Sequence, residues 1–314
     1  MKAALYYRYG DSSELQITDI VEPEIKPGQA LVKVHAVGIN SFDWKIRKGD
    51  LDIWSGLKFP KIPGLEAAGE IVKTGEEIQN FKTGDKVILV TGIKGGCSAE
   101  YYAAKEKQLY PIPDGISYNE AAASTISGLT ALQAIRDIAY VNQETKILIN
   151  GGSGGVGTAA IQIAKIFEGN VNTLCSAANM EFVKDLGADE VFDYTSTDIL
   201  TKEMKYDAIF DTIGNLRFSD YKKILNKGGV FVTSNPDPAF FMGMAVNNLK
   251  SSKKMKVIVF NINPEDMKWL QVELESKRLK IPIDHVYPLI EIKQAQDYSE
   301  SGHVKGKIVI SLDI

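Results

Sequence analysis

Cysteine is nearly absent: Cys97 and Cys175 are the only two in 314 residues. Two thiols cannot build a disulfide framework or a four-cysteine zinc lobe, and they suit a reducing compartment. Histidine is as scarce, with His35, His285 and His303. Neither His35 nor His285 has a Cys, His or carboxylate at ligand spacing. No run of about 18 apolar residues exists, so no membrane span is expected. A surplus of positive charge is lacking too: 36 Lys and Arg stand against 40 Asp and Glu, a net charge of -4. Nucleic acid is therefore not an expected partner. Met1 to Tyr9 lacks the apolar core of a secretory signal and the Arg-rich character of a transit peptide, which makes the cytoplasm the expected location.

What is present is ordinary globular material, 44% apolar and 24% charged, in a chain long enough for two domains. The first third reads as strands at Leu31–Val37, Gly69–Gly75 and Lys86–Val90, parted by Pro-Gly and Gly-Asp turns, as in a small antiparallel barrel. From about Asn119 the pattern changes. A helical stretch, Asn119 to Ala139, precedes apolar strands at Lys146–Ile149, Val171–Leu174, Ala208–Phe210, Val230–Val232 and Val257–Phe260. A helix between the first two has Val156, Ala160, Ile163, Ala164 and Phe167 on one face. Unbroken apolar strands alternating with helices predict a doubly wound parallel sheet. A helix over Asp266–Ser276 and a closing strand, Lys307–Ile310, end the chain. The expected domains are 1–120 with 263–314, and 121–262 inserted between them.

Asn150-Gly151-Gly152-Ser153-Gly154-Gly155-Val156-Gly157 follows a strand and opens a helix. Gly152, Gly154 and Gly157 satisfy the dinucleotide fingerprint, which needs a tight turn, close approach to a pyrophosphate and close helix–strand packing. The helix N-terminus then offers unpaired N–H groups to phosphate. At the end of the next strand an NAD enzyme places an acid for the ribose 2′-hydroxyl. Val171 to Asn179 contains none, while Ser176 and Asn179 can donate hydrogen bonds to a 2′-phosphate. NADPH is the expected cofactor. The alternative for both residues is capping of the next helix.

Gly64-Leu65-Glu66-Ala67-Ala68-Gly69-Glu70-Ile71-Val72, with Phe81-Lys82-Thr83-Gly84-Asp85-Lys86-Val87, resembles the catalytic-domain signature of medium-chain dehydrogenases/reductases. Leu186-Gly187-Ala188-Asp189, Asp193-Tyr194 and Gly302-His303-Val304-Lys305-Gly306-Lys307 resemble later segments of that superfamily, in the right order over nearly the whole chain. The resemblance implies a GroES-like β-barrel catalytic domain holding both termini and an inserted Rossmann domain, with the active site in the cleft between. The positions of the catalytic zinc ligands match Asn40, Leu65 and a residue near Ile126, none a thiolate or imidazole. Metal ligands are thus expected to be none, and the zinc-free quinone oxidoreductase-like branch is implied.

In that branch Asn40 and Asp43 match an Asn-x-x-Asp near the nicotinamide, and Thr130 the small hydroxyl residue against its ring. A structural hydrogen bond within its own loop is the other reading of Asp43. The resemblance further implies that Ser153, Gly155 and Val156 hold the pyrophosphate, Ser176 and Tyr194 the 2′-phosphoribose, and His303 with Lys305 the far edge of the cofactor. The implied reaction is hydride transfer from NADPH to a small-molecule electron acceptor, a quinone or the activated C=C of an enone. Reduction of an enoyl thioester, or a non-catalytic NADPH-binding sensor, are the alternatives. Trp44, Ile53 and Trp54 are candidates for the acceptor pocket, with plain core packing as the alternative, and the proton can come from water, a ribose hydroxyl or a tyrosine such as Tyr101 or Tyr102. Lys256–Phe260 is expected at the edge of the Rossmann sheet, where the superfamily often pairs two subunits into a homodimer.

Overall fold

The computed structural model describes residues 1–313; Ile314, the expected end of the outer domain, lies outside them, and of Pro238 only the backbone is described. The chain falls into two compact units, Met1–Ile126 with the segment from Ile281 on, and Ser127–Lys280.

In the first unit β1 (Lys2–Leu5) pairs antiparallel with β2 (Gln16–Asp19). There follow β3 (Gln29–Ile39), α1 (Ser41–Lys48), α2 (Asp52–Ser55), β4 (Glu66–Thr74), β5 (Lys86–Val90), β6 (Tyr101–Lys105), β7 (Leu109–Pro111) and α3 (Tyr118–Gln133), whose residues from Ser127 on belong to the second unit. Ala30, Val32 and Val34, alternate residues on one face of β3, pack with Ile71 and Leu89 in one core. Where β3 meets β4 only glycine fits: a Cβ on Gly69 would stand 2.1 Å from the Lys33 carbonyl oxygen.

The second unit holds β8 (Lys146–Asn150), α4 (Gly155–Ile166), β9 (Asn170–Cys175), α5 (Met180–Asp185), β10 (Glu190–Asp193) and β11 (Tyr206–Asp211). It continues through α6 (Phe218–Tyr221), β12 (Leu225–Thr233), α7 (Pro238–Lys250), β13 (Lys254–Val257) and α8 (Pro264–Glu275). Its six strands lie parallel in the order β10-β9-β8-β11-β12-β13, the Rossmann order, with reversal between β8 and β11. The chain then re-enters the first unit with β14 (Ile283–Pro288), α9 (Ile292–Glu300) and β15 (Lys307–Ser311).

The first unit's large sheet runs β14-β15-β3-β4-β5-β7, with β6 also on β3. Among the described residues its outer strands β14 and β7 are not hydrogen-bonded to each other, so the expected barrel is not closed by hydrogen bonds. Three other expectations shift. The apolar run Val257–Phe260 is not a strand beyond Val257: only Ile258 N–H still pairs, with Thr233 O at 3.0 Å, and Val259 is 81% exposed. The chain turns away there toward Asn263, which caps α8. The long helix ends at Gln133, followed by a π-type turn over Ala134–Ile138. The return to the first unit comes at Ile281 rather than near 263, because α8 packs with the second unit. Asp266 takes a hydrogen bond from Gln133 Nε2 and an ion pair from Arg136, each at 2.7 Å, and a Cβ on Gly128 would meet Leu270 Cδ1 at 2.7 Å. Among the described residues no helix is long and apolar enough to cross a membrane.

Candidate functional site

The glycine loop divides its labour. Gly151 turns the chain at φ +88°. A Cβ on Gly152 would stand 2.0 Å from Thr173 Oγ1, and one on Gly157 2.0 Å from the Gly151 carbonyl oxygen, so these two let the helix close on the sheet. Gly154 is different: a Cβ there would meet nothing nearer than 3.7 Å. Its missing side chain leaves an open cradle at the N-cap of α4, beside first-turn N–H groups that have no intrahelical acceptor. Ser153, Gly155 and Val156 border it, half-buried. A loop open to a phosphate, at a helix N-terminus and at the reversal of strand order, fits the pyrophosphate of a dinucleotide.

Asp211 ties this loop to its neighbour, and sequence reading missed it. Its Oδ1 accepts from Asn150 Nδ2 at 2.8 Å and from the N–H groups of Ile213 and Gly214 at 3.1 and 3.0 Å. Burial pushes its carboxyl upward against those bonds. Thr212 Oγ1 donates to Asn150 O at 2.8 Å. A run Asp-Thr-Ile-Gly directly after a strand was the available signal.

At the ends of β9 and β10, paired with Asp193 opposite Cys175, the structure brings together Ser176, Asn179 and Tyr194. Asn179 Nδ2 donates to Ser176 Oγ at 3.3 Å, Tyr194 N–H to Cys175 O at 3.1 Å, and the Tyr194 ring is 57% exposed. Ser176 stands at the cap position of the turn Ala177–Asn179 without a side-chain bond to the turn's backbone, so its hydroxyl is not consumed by capping. No carboxylate belongs to that turn.

In the first unit Asn40 and Asp43 stand in a buried polar cluster with two residues to which the sequence reading assigned no role, Glu66 and Lys307. Lys307 Nζ donates to Asn40 Oδ1 at 2.6 Å and Glu66 Oε1 at 2.8 Å, and Asn40 Nδ2 donates to Glu66 Oε1 at 2.9 Å. Glu66 Oε2 accepts the Ile126 N–H at 2.7 Å. All four residues are at most 8% exposed. Asp43 spends both oxygens on backbone, accepting from the N–H groups of Asn40 and Gly64 at 2.8 Å each. It therefore holds the start of α1 and the Gly64 turn, the structural reading entertained for it. Burial pushes its carboxyl up to about 7, against the pull of those two N–H groups and Lys307. The signal for Glu66 and Lys307 was a charge directly before an apolar stretch, Ala67-Ala68 and Ile308-Val309-Ile310.

Leu65, at the second zinc-ligand position, is buried, and the small cavity it helps line also touches Tyr6, Asp43, Ser55 and Lys61. Ile53 and Trp54 stand on α2, 85% and 66% exposed; Trp44 is half-buried on α1, and Tyr101 and Tyr102 are half-buried in β6. Thr130 is buried on α3 in the second unit. His303 and Lys305 are exposed in the turn before β15, where Lys305 N–H bonds Asp284 Oδ2 at 2.9 Å. The expectation for the other histidines needs correction: folding brings Asp313 to 2.8 Å from His35 Nδ1, and His285 lies 3.1 Å from its neighbour Asp284. Among the described residues no three or more His, Cys, Asp or Glu gather as metal ligands. Burial pushes the Cys97 thiol up, and that of Cys175 up to about 11, so both stay protonated near neutrality and lack the thiolate needed for reactivity.

Comparison with known proteins agrees with this architecture. Residues 26–114 match the alcohol dehydrogenase GroES-like domain, and residues 186–310 match a family described as zinc-binding dehydrogenase. The chain is 35% identical to the chloroplast envelope quinone oxidoreductase homolog of Arabidopsis thaliana, over 99% of this chain and 98% of that one. It is 32% identical to the NADPH-dependent alkenal/one oxidoreductase, chloroplastic, of the same plant, over 99% and 79%. The solved quinone oxidoreductase of Coxiella burnetii superposes with a TM-score of 0.90 at 31% identity, covering 99% of each chain. With its GroES-like unit, its Rossmann unit and these relatives, the chain belongs to the medium-chain dehydrogenase/reductase superfamily, in its quinone oxidoreductase-like branch of nicotinamide-dependent oxidoreductases.

Proposed function

We propose that the protein is a zinc-independent, NADPH-dependent reductase of quinones or of the activated C=C of enones. The carrying observation is the chemistry at the three zinc-ligand positions. Asn40 has its amide engaged by Lys307, Glu66 and the Gly38 carbonyl, Leu65 is apolar, and the residues around Ile126, from Ala122 to Thr130, include no cysteine or histidine. None can donate a thiolate or an imidazole to zinc. The name of the family matched by residues 186–310 mentions zinc, but that match does not cover any of these positions.

In this reading the open cradle at Gly154, with Ser153, Gly155 and Val156, holds the pyrophosphate. Ser176, Asn179 and Tyr194 hold the 2′-phosphate, where an acid would repel it. His303 and Lys305 are proposed for the far edge of the cofactor, and Thr130 for the nicotinamide side. When bound, the nicotinamide supplies a hydride. Asp43 then serves by holding the start of α1 and the Gly64 turn in place, and Asn40 is proposed beside the nicotinamide, held by Lys307 and Glu66. The names of the relatives, quinone oxidoreductase homolog and alkenal/one oxidoreductase, support the choice of acceptors. Following NADPH oxidation with quinones, linear enones and enoyl thioesters tests it; turnover with the thioesters alone would overturn the acceptor assignment. The plant relatives are named as chloroplastic, and a cytoplasmic location for this chain remains a proposal, to be checked by fractionation.

We also propose a homodimer through β13, the edge strand of the Rossmann sheet. An unpaired edge invites a strand from another chain, and lysines would guard against it. Of the lysines there, Lys253 Nζ is turned back onto Lys222 O at 2.7 Å and Lys254 Nζ onto Asn248 O at 2.8 Å, while Lys256 is exposed on the strand. Four residues of strand are too little for a stable interface of roughly 1,200 Å² or more. The outer face of the adjacent α7 adds uncovered apolar surface, with Met242 73% and Leu249 89% exposed.

A further inference from the structure

Two separate turns carry the residues proposed to hold a 2′-phosphate: Ser176 and Asn179 follow β9, and Tyr194 follows β10. One side chain joins them. Asp193, the last residue of β10 and only 9% exposed, accepts from Thr195 N–H at 3.0 Å, from Thr195 Oγ1 at 2.8 Å and from Ser196 Oγ at 2.9 Å. The Ala177 N–H, in the turn after β9, faces the same carboxylate as the weakest of the groups that hold its pKa down, and Tyr194 N–H, next to Asp193, fastens the end of β9 directly by donating to Cys175 O at 3.1 Å. The Asp193 carbonyl oxygen receives the N–H groups of Ser196 and Thr197 at 3.3 and 2.8 Å. The loop bearing Tyr194 thus folds around Asp193, and the turn bearing Ser176 and Asn179 is fastened to it from the other side.

We infer that Asp193 is a positioning residue for cofactor choice, clamping the turns at Ser176–Asn179 and Tyr194 into one 2′-phosphate-recognising surface. The inference rests on the NADPH reading above. A carboxylate at the 2′ end of a cofactor site otherwise serves NAD, by accepting from the ribose hydroxyl. Asp193 is unsuited to that. A carboxylate has about four lone-pair sites, and the protein's own donors already engage both oxygens: Thr195 N–H on one, Ser196 Oγ on the other, and Thr195 Oγ1 on both. These donors disperse its negative charge, so a phosphate can approach turns that an unpaired carboxylate would guard against. The acid sits on the neighbouring strand from the usual one and does the opposite work.

The test uses cofactor fragments that differ only in the phosphate concerned, adenosine 2′,5′-bisphosphate and AMP, titrated calorimetrically into the full chain. The wild type should prefer the bisphosphate by ~10-fold or more, the worth of one charge-assisted hydrogen bond or better. Asp193→Ala should bring that preference to within about threefold while leaving AMP affinity unchanged. Asp193→Asn, which keeps one acceptor oxygen and the shape, should fall between, and it carries the test should the alanine variant not fold. A wild type without preference overturns the NADPH reading and the inference with it. Preference in the wild type that both variants retain overturns the inference alone. So does an equal loss of both ligands, since that is the mark of a general structural role.

Discussion

Lys307 and Glu66 form a buried ion pair at 2.8 Å, neither residue more than 3% exposed. The pair bridges β15, which ends the chain, to β4, and both partners also grip Asn40 at the start of α1. Two charges out of water are costly to separate, because removing one strands the other. Lys307→Met should therefore destabilise the protein by about 3–5 kcal/mol, read as the shift of a urea midpoint. Adding Glu66→Gln should recover part of that loss, whereas two additive penalties would mean the residues do not act as a pair.

Asp43 makes stability depend on pH in an unusual direction. Its folded carboxyl titrates at about 7 rather than 3.8, so the folded state keeps a proton that the unfolded chain has released. Between those values the native state binds more protons, and the stability tied to Asp43 falls as pH rises from about 4 to about 7, then levels off. Denaturation midpoints from pH 5 to 8 should decline in the wild type and flatten in Asp43→Asn. A wild-type curve that climbs over this range contradicts the assignment.

The turn after β9 should decide between cofactors. Ser176→Asp introduces the acid that the segment lacks, and NADPH affinity should drop ~10-fold or more, one lost charge-assisted hydrogen bond being worth about 1.5–3 kcal/mol. NADH should lose less. Fluorescence titration of both cofactors checks it, and parallel losses would separate Ser176 from the 2′-phosphate.

The proposed dimer predicts a mass twice 34.5 kDa by light scattering at micromolar concentration. Leu249→Glu, which charges the outer face of α7, should yield monomers that still bind NADPH. A wild-type monomer rejects the dimer, and a variant that remains dimeric removes α7 from the interface.

How far the sequence could be read depended on range. Strands such as Lys86–Val90 were legible because their burial pattern is local. The glycine loop was legible because each glycine answers a nearby steric demand. Strand Val257–Phe260 misled, since an apolar run does not report where its neighbour β12 ends. The Glu66–Lys307 pair spans 241 positions, and Asp313 reaches His35 across 278. No periodicity encodes such partnerships; only the sheet order β15-β3-β4 brings them together. Asp193 was seen as part of a motif, but the bond of its neighbour Tyr194 to Cys175 at the end of β9 depends on the register of two strands.

The central claim is reduction without zinc, and the direct measurement is NADPH oxidation with 1,4-benzoquinone and 1-octen-3-one by protein stripped of metal with a chelator and verified by elemental analysis. Turnover with at least one of them is expected, unchanged from untreated protein and unaffected by added zinc. Turnover abolished by chelation and restored by zinc would contradict it.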